Sequence, residues 1–242
     1  MWPFGKRSTG STVELWKGFT DIHSHLLPGV DDGAASMPVT LALLEQYAQA
    51  EVEAVCMTPH VMEDIPNTTE RLRSVFQNVC GQYHGGLKLL LAAEYMLDSL
   101  LEERLESQDL LALGSNHLLV ECSVFQAPRN LEALLDGVCR AGYFPVLAHP
   151  ERYMYMDMAM YGCLKKNRIQ FQLNLPSVIG LYGTKVRKRA LRLLREGMYD
   201  YVGTDVHSRK MWDFLTRTDE LGRMAARLLP LMENNKKLMG LK

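Results

Sequence analysis

The chain has 242 residues, of which 47% are hydrophobic and 23% are charged, and its formal net charge is −1. This length allows a sizeable core, and a single α/β barrel routinely reaches it, so we expect one domain. The near-neutral charge gives no reason to expect non-specific nucleic-acid binding, and the lack of an apolar run of ~18 residues excludes a membrane span. The first residues, MWPFGKRSTGS, carry no apolar core of signal-peptide length, so we expect a cytoplasmic protein.

The five cysteines are an odd number and include no Cys-x-x-Cys pair, which predicts neither a disulfide framework nor a thiolate zinc site. None of them has an arginine six positions further along, the loop spacing of cysteine-dependent phosphatases. We therefore expect reduced, mostly packed thiols and no cysteine nucleophile.

In chain order, residues 1–17 are predicted to be a tail or loosely attached segment, and residues 18–242 a single barrel domain. Seven short apolar or alternating runs predict strands: GFTDIHS, EAVCMTPH, LKLLLAAEY, HLLVECS, YFPVLAHP, IQFQLNL and YDYVGTDVH. Amphipathic segments such as residues 37–50, 68–80, 131–142 and 185–198 lie between them and predict helices. Strands that alternate with helices imply βα units and a parallel sheet, and seven such units are most simply closed as a barrel.

Histidines and carboxylates recur at the ends of these predicted strands. Six of the seven strand ends carry them, in the order His23, His25 and Asp32, then His60, Glu94, Glu121 and His149, and finally Asp205 and His207. In a parallel barrel these ends converge on one face. Taken singly, each of these residues is more often structural, but four carboxylates in one pocket repel one another unless cations separate them. The pattern therefore predicts a metal site.

Six ordered motifs resemble one known family. They are DIHSHLLPGVDDG, TPH, AAEYM, LVECS, AHPERY and GTDVH, and they span residues 18–207. In order and spacing they resemble the polymerase and histidinol phosphatase (PHP) superfamily, and within it the bacterial tyrosine phosphatases of capsule and exopolysaccharide operons. The resemblance implies a distorted seven-stranded, TIM-like α/β barrel that binds three metal ions.

The same resemblance assigns the ligands by position. It implies that His23, His25, Glu94 and Asp205 hold the first ion, that Glu94, Glu121 and His149 hold the second, and that Asp32, His60 and His207 hold the third. Imidazole and carboxylate ligands without thiolate suit manganese, which we expect first, and also iron or zinc. Three divalent ions carry more charge than four carboxylates neutralise, so the cluster is suited to receive an anion.

Two arginines are predicted to contact the substrate. Arg152, three residues after His149, matches the family arginine that clamps phosphate, and a guanidinium can bind two oxygens at once. An ion pair with an acid is its simpler alternative. Trp212 stands where the family has a second arginine, and Arg209 is the nearest basic candidate.

The expected reaction is hydrolysis of a phosphomonoester by metal-activated water, without a protein nucleophile. Tyrosine phenolate, with a pKa near 10, is an easier leaving group than a serine alkoxide. The resemblance therefore implies a protein-tyrosine phosphatase whose partner is the phosphotyrosine tail of an autophosphorylated bacterial tyrosine kinase that regulates polysaccharide synthesis.

Three alternatives stay open. The chain can be a histidinol-phosphate or other small-molecule phosphatase, a nuclease, or a non-catalytic, metal-dependent module that binds phosphotyrosine. A nuclease needs a basic path, and the one dense basic run is KVRKRALRLLR at residues 185–195. On a helix such a run is more often a solvated face than a docking surface for an acidic or phosphorylated tail.

Overall fold

The structure is a computed structural model that describes residues 12–241. Its strands are β1 Thr20–Asp21, β2 Ala54–Met57, β3 His60–Val61, β4 Lys88–Leu91, β5 Glu94–Met96, β6 His117–Glu121, β7 Phe144–Ala148, β8 Gln170–Asn174 and β9 Tyr201–Gly203. Its helices are α1 Thr12–Trp16, α2 Met37–Gln49, α3 Thr69–Gln82, α4 Ser99–Ser107, α5 Leu131–Arg140, α6 Met158–Lys166, α7 Leu175–Val178, α8 Thr184–Arg195, α9 Arg209–Thr216, α10 Glu220–Arg223 and α11 Ala225–Leu238. A single 3-10 turn, Pro150–Arg152, follows β7.

Two pairs of short strands act as single bent strands. β2 pairs with β1 and β4, whereas β3, which follows β2 after two residues, pairs with β5. The Ala92 amide donates to the Met57 carbonyl (3.0 Å) and the Glu94 amide to the Pro59 carbonyl (3.1 Å), which continues the ladder across both bends. The nine strands therefore occupy seven positions around the sheet.

The sheet closes on itself. All strand pairs from β1 to β9 are parallel, and Ser24 and Val206 form a parallel bridge between the first and last positions. The His25 amide donates to the Val206 carbonyl (2.9 Å), and the Asp205 amide donates to the His23 carbonyl (2.8 Å). These contacts confirm the predicted distorted, seven-stranded α/β barrel.

Helices surround the barrel and bury one face each. In α5 the buried residues Leu131, Leu134, Leu135 and Val138 recur every three or four positions, which is the spacing of one helix face. The buried faces of the helices and strands form one large hydrophobic core. A second, smaller cluster is separate from it and includes Ile22, Cys56, Leu119, Val146 and Ala148. Side chains also define helix starts: Asp98, Asp157 and Ser208 accept backbone hydrogen bonds at the N-termini of α4, α6 and α9.

Helix α11 connects β1 and β9, the first and last strands of the barrel, through side-chain hydrogen bonds. Asn235 of α11 is buried, and its side-chain amide donates to the carbonyls of Thr20 (2.8 Å) and Val202 (2.7 Å). Its Oδ1 accepts a hydrogen bond from the Val202 amide (3.2 Å). Because this satisfies backbone groups between β1 and β9, the helix completes the barrel at the end away from the predicted site.

The N-terminal boundary differs from the prediction. Of the predicted tail, residues 1–11 lie outside the described residues, but Thr12–Trp16 form helix α1. Leu15 and Trp16 are buried, and the Trp16 ring lies 5.0 Å from the Trp212 ring. The difference arises because Leu15 and Trp16 of this helix join the core. Within residues 12–241, no helix is long and apolar enough to cross a membrane.

Candidate metal centre

The predicted histidines and carboxylates converge at the carboxyl ends of the strands. Three groups of them have potential ligand atoms within 4.8 Å of one another: His23, His25, Glu94 and Asp205; His25, Asp32, His60 and His207; and His60, Glu94 and Glu121. His149 adjoins the last group, with Nε2 at 3.0 Å from Glu94 Oε1 and 3.9 Å from Glu121 Oε2. The structure thus brings together all nine residues that the sequence singled out.

Glu94 lies at the middle of the cluster and is fully buried. Its Oε2 is 3.2 Å from His23 Nε2, 3.3 Å from His25 Nε2 and 3.2 Å from His60 Nδ1. Its Oε1 faces the other way, 3.0 Å from His149 Nε2. One carboxylate therefore faces two groups of histidines, which is the geometry a bridging ligand needs.

Two further carboxylates complete the groups. Asp205 Oδ1 lies 3.4 Å from His23 Nε2 and 3.3 Å from His25 Nε2. Asp32 Oδ1 lies 3.6 Å from His60 Nε2 and 3.4 Å from His207 Nε2, nearer the solvent. The imidazoles of His23 and His25 are buried, whereas Asp32 is exposed on one side.

In four histidines Nδ1 has a hydrogen-bond partner and Nε2 faces a carboxylate of the cluster. The Nδ1 contacts are His23 to Gln172 Oε1 (2.9 Å), His25 to Asp31 Oδ2 (2.8 Å), His149 to the Tyr153 hydroxyl (3.2 Å) and His207 to the Asp205 carbonyl (2.8 Å). Such contacts favour the proton on Nδ1 and leave the Nε2 lone pair toward the cluster. Histidine ligands of metals are held in this way by a second layer of side chains.

Unusual backbone conformations place two of these residues. His149 (φ 36°) and Asp205 (φ 53°) adopt the left-handed conformation, although neither is glycine. Residues other than glycine keep this conformation only where the surrounding structure requires it. Gly203 is needed for close approach, since a Cβ there would lie 2.6 Å from the Cβ of His23 and 2.7 Å from Nε2 of Gln172.

The histidines and carboxylates of the cluster shift each other's pKa values. Burial lowers the pKa of His23, but Glu94 and Asp205 outweigh it and raise that pKa to about 9. Burial raises the pKa of Glu94 and of Asp205, yet His23 and neighbouring imidazoles hold both well below the usual range. The hydrogen bond from His207 lowers the pKa of Asp32 to about 2. Positively charged imidazolium rings therefore offset the carboxylates, which is the role that bound cations would fill.

The residues present fit divalent metal ions. Three buried atoms, His60 Nδ1, Glu94 Oε2 and Glu121 Oε1, have no hydrogen-bond partner among the described residues. His60 Nδ1 nevertheless lies 3.2 Å from Glu94 Oε2 and 2.9 Å from Glu121 Oε1. Buried polar atoms rarely stay unpaired, and divalent cations beside Glu94 and Glu121 account for the open acceptors of these two carboxylates.

Arg152 lies beside this centre, in the 3-10 turn that follows β7. Its Nη1 donates to Asp205 Oδ2 (3.1 Å), and its guanidinium lies 4.5 Å from the centroid of the Tyr182 ring. Asn174 also donates to Asp205 Oδ2 (2.8 Å). Arg152 thus forms the ion pair that the sequence left as an alternative, yet a quarter of its side chain (25%) stays exposed to an incoming anion.

An open cleft of about 630 Å³ lies over the centre. Its lining includes His60, Glu121, His149, Asp205 and Arg152. Its apolar lining consists mainly of Met62, Met96, Val124, Phe125, Leu181 and Met211. The cleft therefore combines charged and imidazole side chains with apolar ones.

Arg209, the other predicted arginine, is not brought to this cleft. It is exposed at the first residue of α9, and Arg152 is the arginine that lines the cleft within the described part of the chain. Trp212 points into the core instead, where its ring stacks on Tyr47 at 3.8 Å. The helix turns this position inward, so no side chain at residue 212 reaches the cleft.

The basic run on α8 divides into two sets. Arg187 pairs with Glu220 (2.7 Å) and Arg189 donates to the Tyr153 carbonyl (2.6 Å), so these two residues support the fold. Lys185 and Lys188 line a surface groove apart from the metal centre. A docking role for this face stays a prediction.

Several site residues were missed in the sequence. Asp31, Tyr153, Gln172, Asn174 and Tyr182 all hold predicted residues in place. A signal existed for two of them, because Gln172 and Asn174 alternate along β8 and so face the same side of the strand. Asp31 directly precedes Asp32, and the sequence Asp-Asp-Gly at residues 31–33 does not indicate which of the two carboxylates faces the cluster.

Together these features define a parallel α/β barrel protein with a metal-binding centre at the carboxyl ends of its strands. Residues 19–224 match the family Capsular polysaccharide synthesis, CpsB/CapC, and the chain belongs to this family.

Two similar proteins support this family membership. The chain is 26% identical over 205 residues to tyrosine-protein phosphatase YwqE of Bacillus subtilis (strain 168), covering 81% of this chain and 80% of that protein. It is 27% identical over 203 residues to tyrosine-protein phosphatase CpsB of Streptococcus pneumoniae, covering 78% of this chain and 82% of that protein.

Solved structures show the same architecture. One from a study of YwqE and CpsB, described as unique metal-dependent tyrosine phosphatases, superposes with a TM-score of 0.82 and 25% identity over 91% of this chain and 94% of that one. L-Hydantoinase from Arthrobacter aurescens shares the fold alone, at a TM-score of 0.58 and 12% identity, over 93% of this chain and 71% of that one.

Proposed function

We propose that this protein is a metal-dependent phosphomonoesterase that hydrolyses phosphotyrosine in proteins. The observation that carries the proposal is the set of four histidines whose Nδ1 atoms have hydrogen-bond partners while Nε2 faces the carboxylates. Support comes from Arg152 beside this cluster and from relatives named tyrosine-protein phosphatases.

The proposed ligand sets are those that the sequence implied, with manganese as the first candidate metal. His23, His25, Glu94 and Asp205 would hold one ion; Glu94, Glu121 and His149 a second; and Asp32, His60 and His207 a third. Asp31 adds a buried carboxylate behind His25, and the charge of Arg152 offsets it. The centre therefore keeps a positive balance for a phosphate group.

When bound, the ions supply an activated water nucleophile and stabilise charge on the phosphoryl oxygens. Arg152 binds those oxygens through its exposed donors, and the Tyr182 ring supports the guanidinium. Asn174 keeps Asp205 in place when Arg152 turns toward the substrate. Cys122 also lines the cleft, but burial raises the pKa of its thiol to about 12, so it stays protonated and is a poor nucleophile.

The walls of the cleft favour an aromatic phosphoester. Met62, Met96, Phe125 and Leu181 offer apolar contact to a phenyl ring, and the phenolate leaves without the strong acid that an alkoxide requires. The openness of the cleft to solvent suits a phosphate carried on a protein. We take an autophosphorylated tyrosine kinase that controls capsular or exopolysaccharide synthesis as the physiological substrate, in line with the family description.

The test compares kcat/KM for a tyrosine-phosphorylated peptide, its phosphoserine counterpart and histidinol phosphate at identical manganese loading. We expect the phosphotyrosine peptide to be preferred at least tenfold over both others. A tenfold preference for histidinol phosphate would place the protein among the small-molecule phosphatases instead. Tight binding of the phosphotyrosine peptide without turnover would identify a binding module.

A further inference from the structure

A second groove adjoins the proposed catalytic cleft. This α9 groove is lined by Leu181, Lys210, Met211, Asp213, Phe214 and Arg217 among others. Leu181 and Met211 line the catalytic cleft as well, so the two depressions share a wall. A bound peptide that extends from the cleft past Leu181 and Met211 therefore enters the α9 groove.

Helix α9 has apolar residues on two faces. Trp212 and Leu215 are buried in the core, as expected for one face of a surface helix. Met211 and Phe214, three positions apart, lie instead along the groove, where 42% of Phe214 is exposed. Leu181 is similarly exposed, at 41%. Phe214 and Leu181 line the same groove, and contiguous exposed apolar surface marks a contact site.

Charge distinguishes this side of the cleft from the side that Met62 and Met96 line. The surface beyond Met62 and Met96 carries the carboxylates of Glu63, Asp64 and Asp98. At the α9 groove, Lys210 is exposed and has no carboxylate within ion-pair distance in residues 12–241. A peptide that bears a phosphate and other acidic groups is repelled on the first side and attracted on the second.

From this juxtaposition we infer that the α9 groove binds the polypeptide that flanks the phosphotyrosine of the substrate. An apolar side chain of that segment packs on Phe214 and Leu181, and Lys210 faces acidic groups nearby. The inference rests on the proposed function, because only a protein-borne phosphate brings a flanking chain to the cleft. It adds a specificity surface that acts on peptides and not on small aryl phosphates.

The test replaces one exposed phenylalanine and uses another as its control. Phe214→Ser removes the apolar contact, whereas Phe144→Ser changes a residue of similar exposure (49%) at the opposite, amino end of β7. Each manganese-loaded variant is assayed with a phosphotyrosine peptide that has leucine flanks, the same peptide with glycine flanks, and p-nitrophenyl phosphate.

We expect Phe214→Ser to lower kcat/KM about 5- to 10-fold for the leucine-flanked peptide, mainly through KM, since a partly exposed phenylalanine loses a contact of that order. The glycine-flanked peptide should change less than about twofold and p-nitrophenyl phosphate not at all, and Phe144→Ser should affect none of them. An equal loss on every substrate, or no loss on the leucine-flanked peptide, would overturn the inference while the parent's peptide turnover still upheld the proposed function. A parent that hydrolyses p-nitrophenyl phosphate but neither peptide would overturn both.

Discussion

Replacement of Arg152 by alanine separates phosphate binding from metal binding. The side chain is 25% exposed and donates to Asp205 Oδ2 at 3.1 Å, so its removal takes away both a phosphate donor and an ion-pair partner. Asn174 still donates to the same oxygen at 2.8 Å, and Asp205 Oδ1 still faces His23 and His25. We therefore expect unchanged metal content and a loss in kcat/KM on the order of 10², because one charge-assisted donor to developing charge contributes ~2.7 to 4 kcal/mol.

The assay measures kcat/KM on a phosphotyrosine peptide and metal content by elemental analysis for each variant. Arg152→Lys should recover only part of the loss, since an ammonium does not reproduce the two-pronged contact of a guanidinium. Arg209→Ala is the matched control, because Arg209 is exposed outside the cleft, and we expect activity within about twofold of the parent. If Arg152→Ala loses metal, or if Arg209→Ala loses as much activity, the reasoning about this arginine is wrong.

Three further predictions concern the ligands, the thiols and the metal-free protein. Gln172→Leu removes the acceptor for His23 Nδ1 and should weaken metal affinity about 10- to 100-fold in a manganese titration with little change in kcat at saturation; unchanged affinity would contradict it. Cys122→Ser should keep kcat within a few-fold of the parent, and a trapped phosphocysteine would refute this. The pKa of His23 in the metal-free protein, about 9, lies above its unfolded value near 6.5, so its contribution, on the order of 3 kcal/mol, is complete below that lower value and disappears as pH rises through about 9. Urea unfolding of the metal-free protein should therefore show lower stability near pH 9 than near pH 6, and the opposite order would show that His23 does not dominate.

The ligand set was accessible from sequence because a parallel barrel gathers its strand ends whatever the details of packing. His23, Glu94 and Asp205 are far apart in the chain, yet each follows a recognisable apolar strand. Their supporting residues were harder to see. Gln172 and Asn174 are neutral amides, so they carry no charge that repulsion or metal binding has to explain, and only the alternation along β8 indicates their direction.

Other parts of the fold depended on tertiary partners that sequence patterns do not reveal. Helix α1 has five residues, too few for a clear period, and its place in the core depends on contact between Trp16 and Trp212. Trp212 itself was considered only as the replacement for a phosphate-binding arginine, whereas packing on Tyr47 explains its burial. Asn235 lies in a polar run, which is typical of a surface position, but it is buried between β1 and β9.

The central claim is that phosphotyrosine hydrolysis depends on metal held by the nine clustered histidines and carboxylates. The most direct measurement is a manganese titration of protein that a chelator has stripped and elemental analysis has shown to be metal-free, with phosphotyrosine-peptide turnover recorded at each point. The account predicts no turnover in the stripped protein and a return of activity that saturates near three equivalents of manganese per chain, the number that the ligand sets imply. Full activity in the metal-free protein would contradict it.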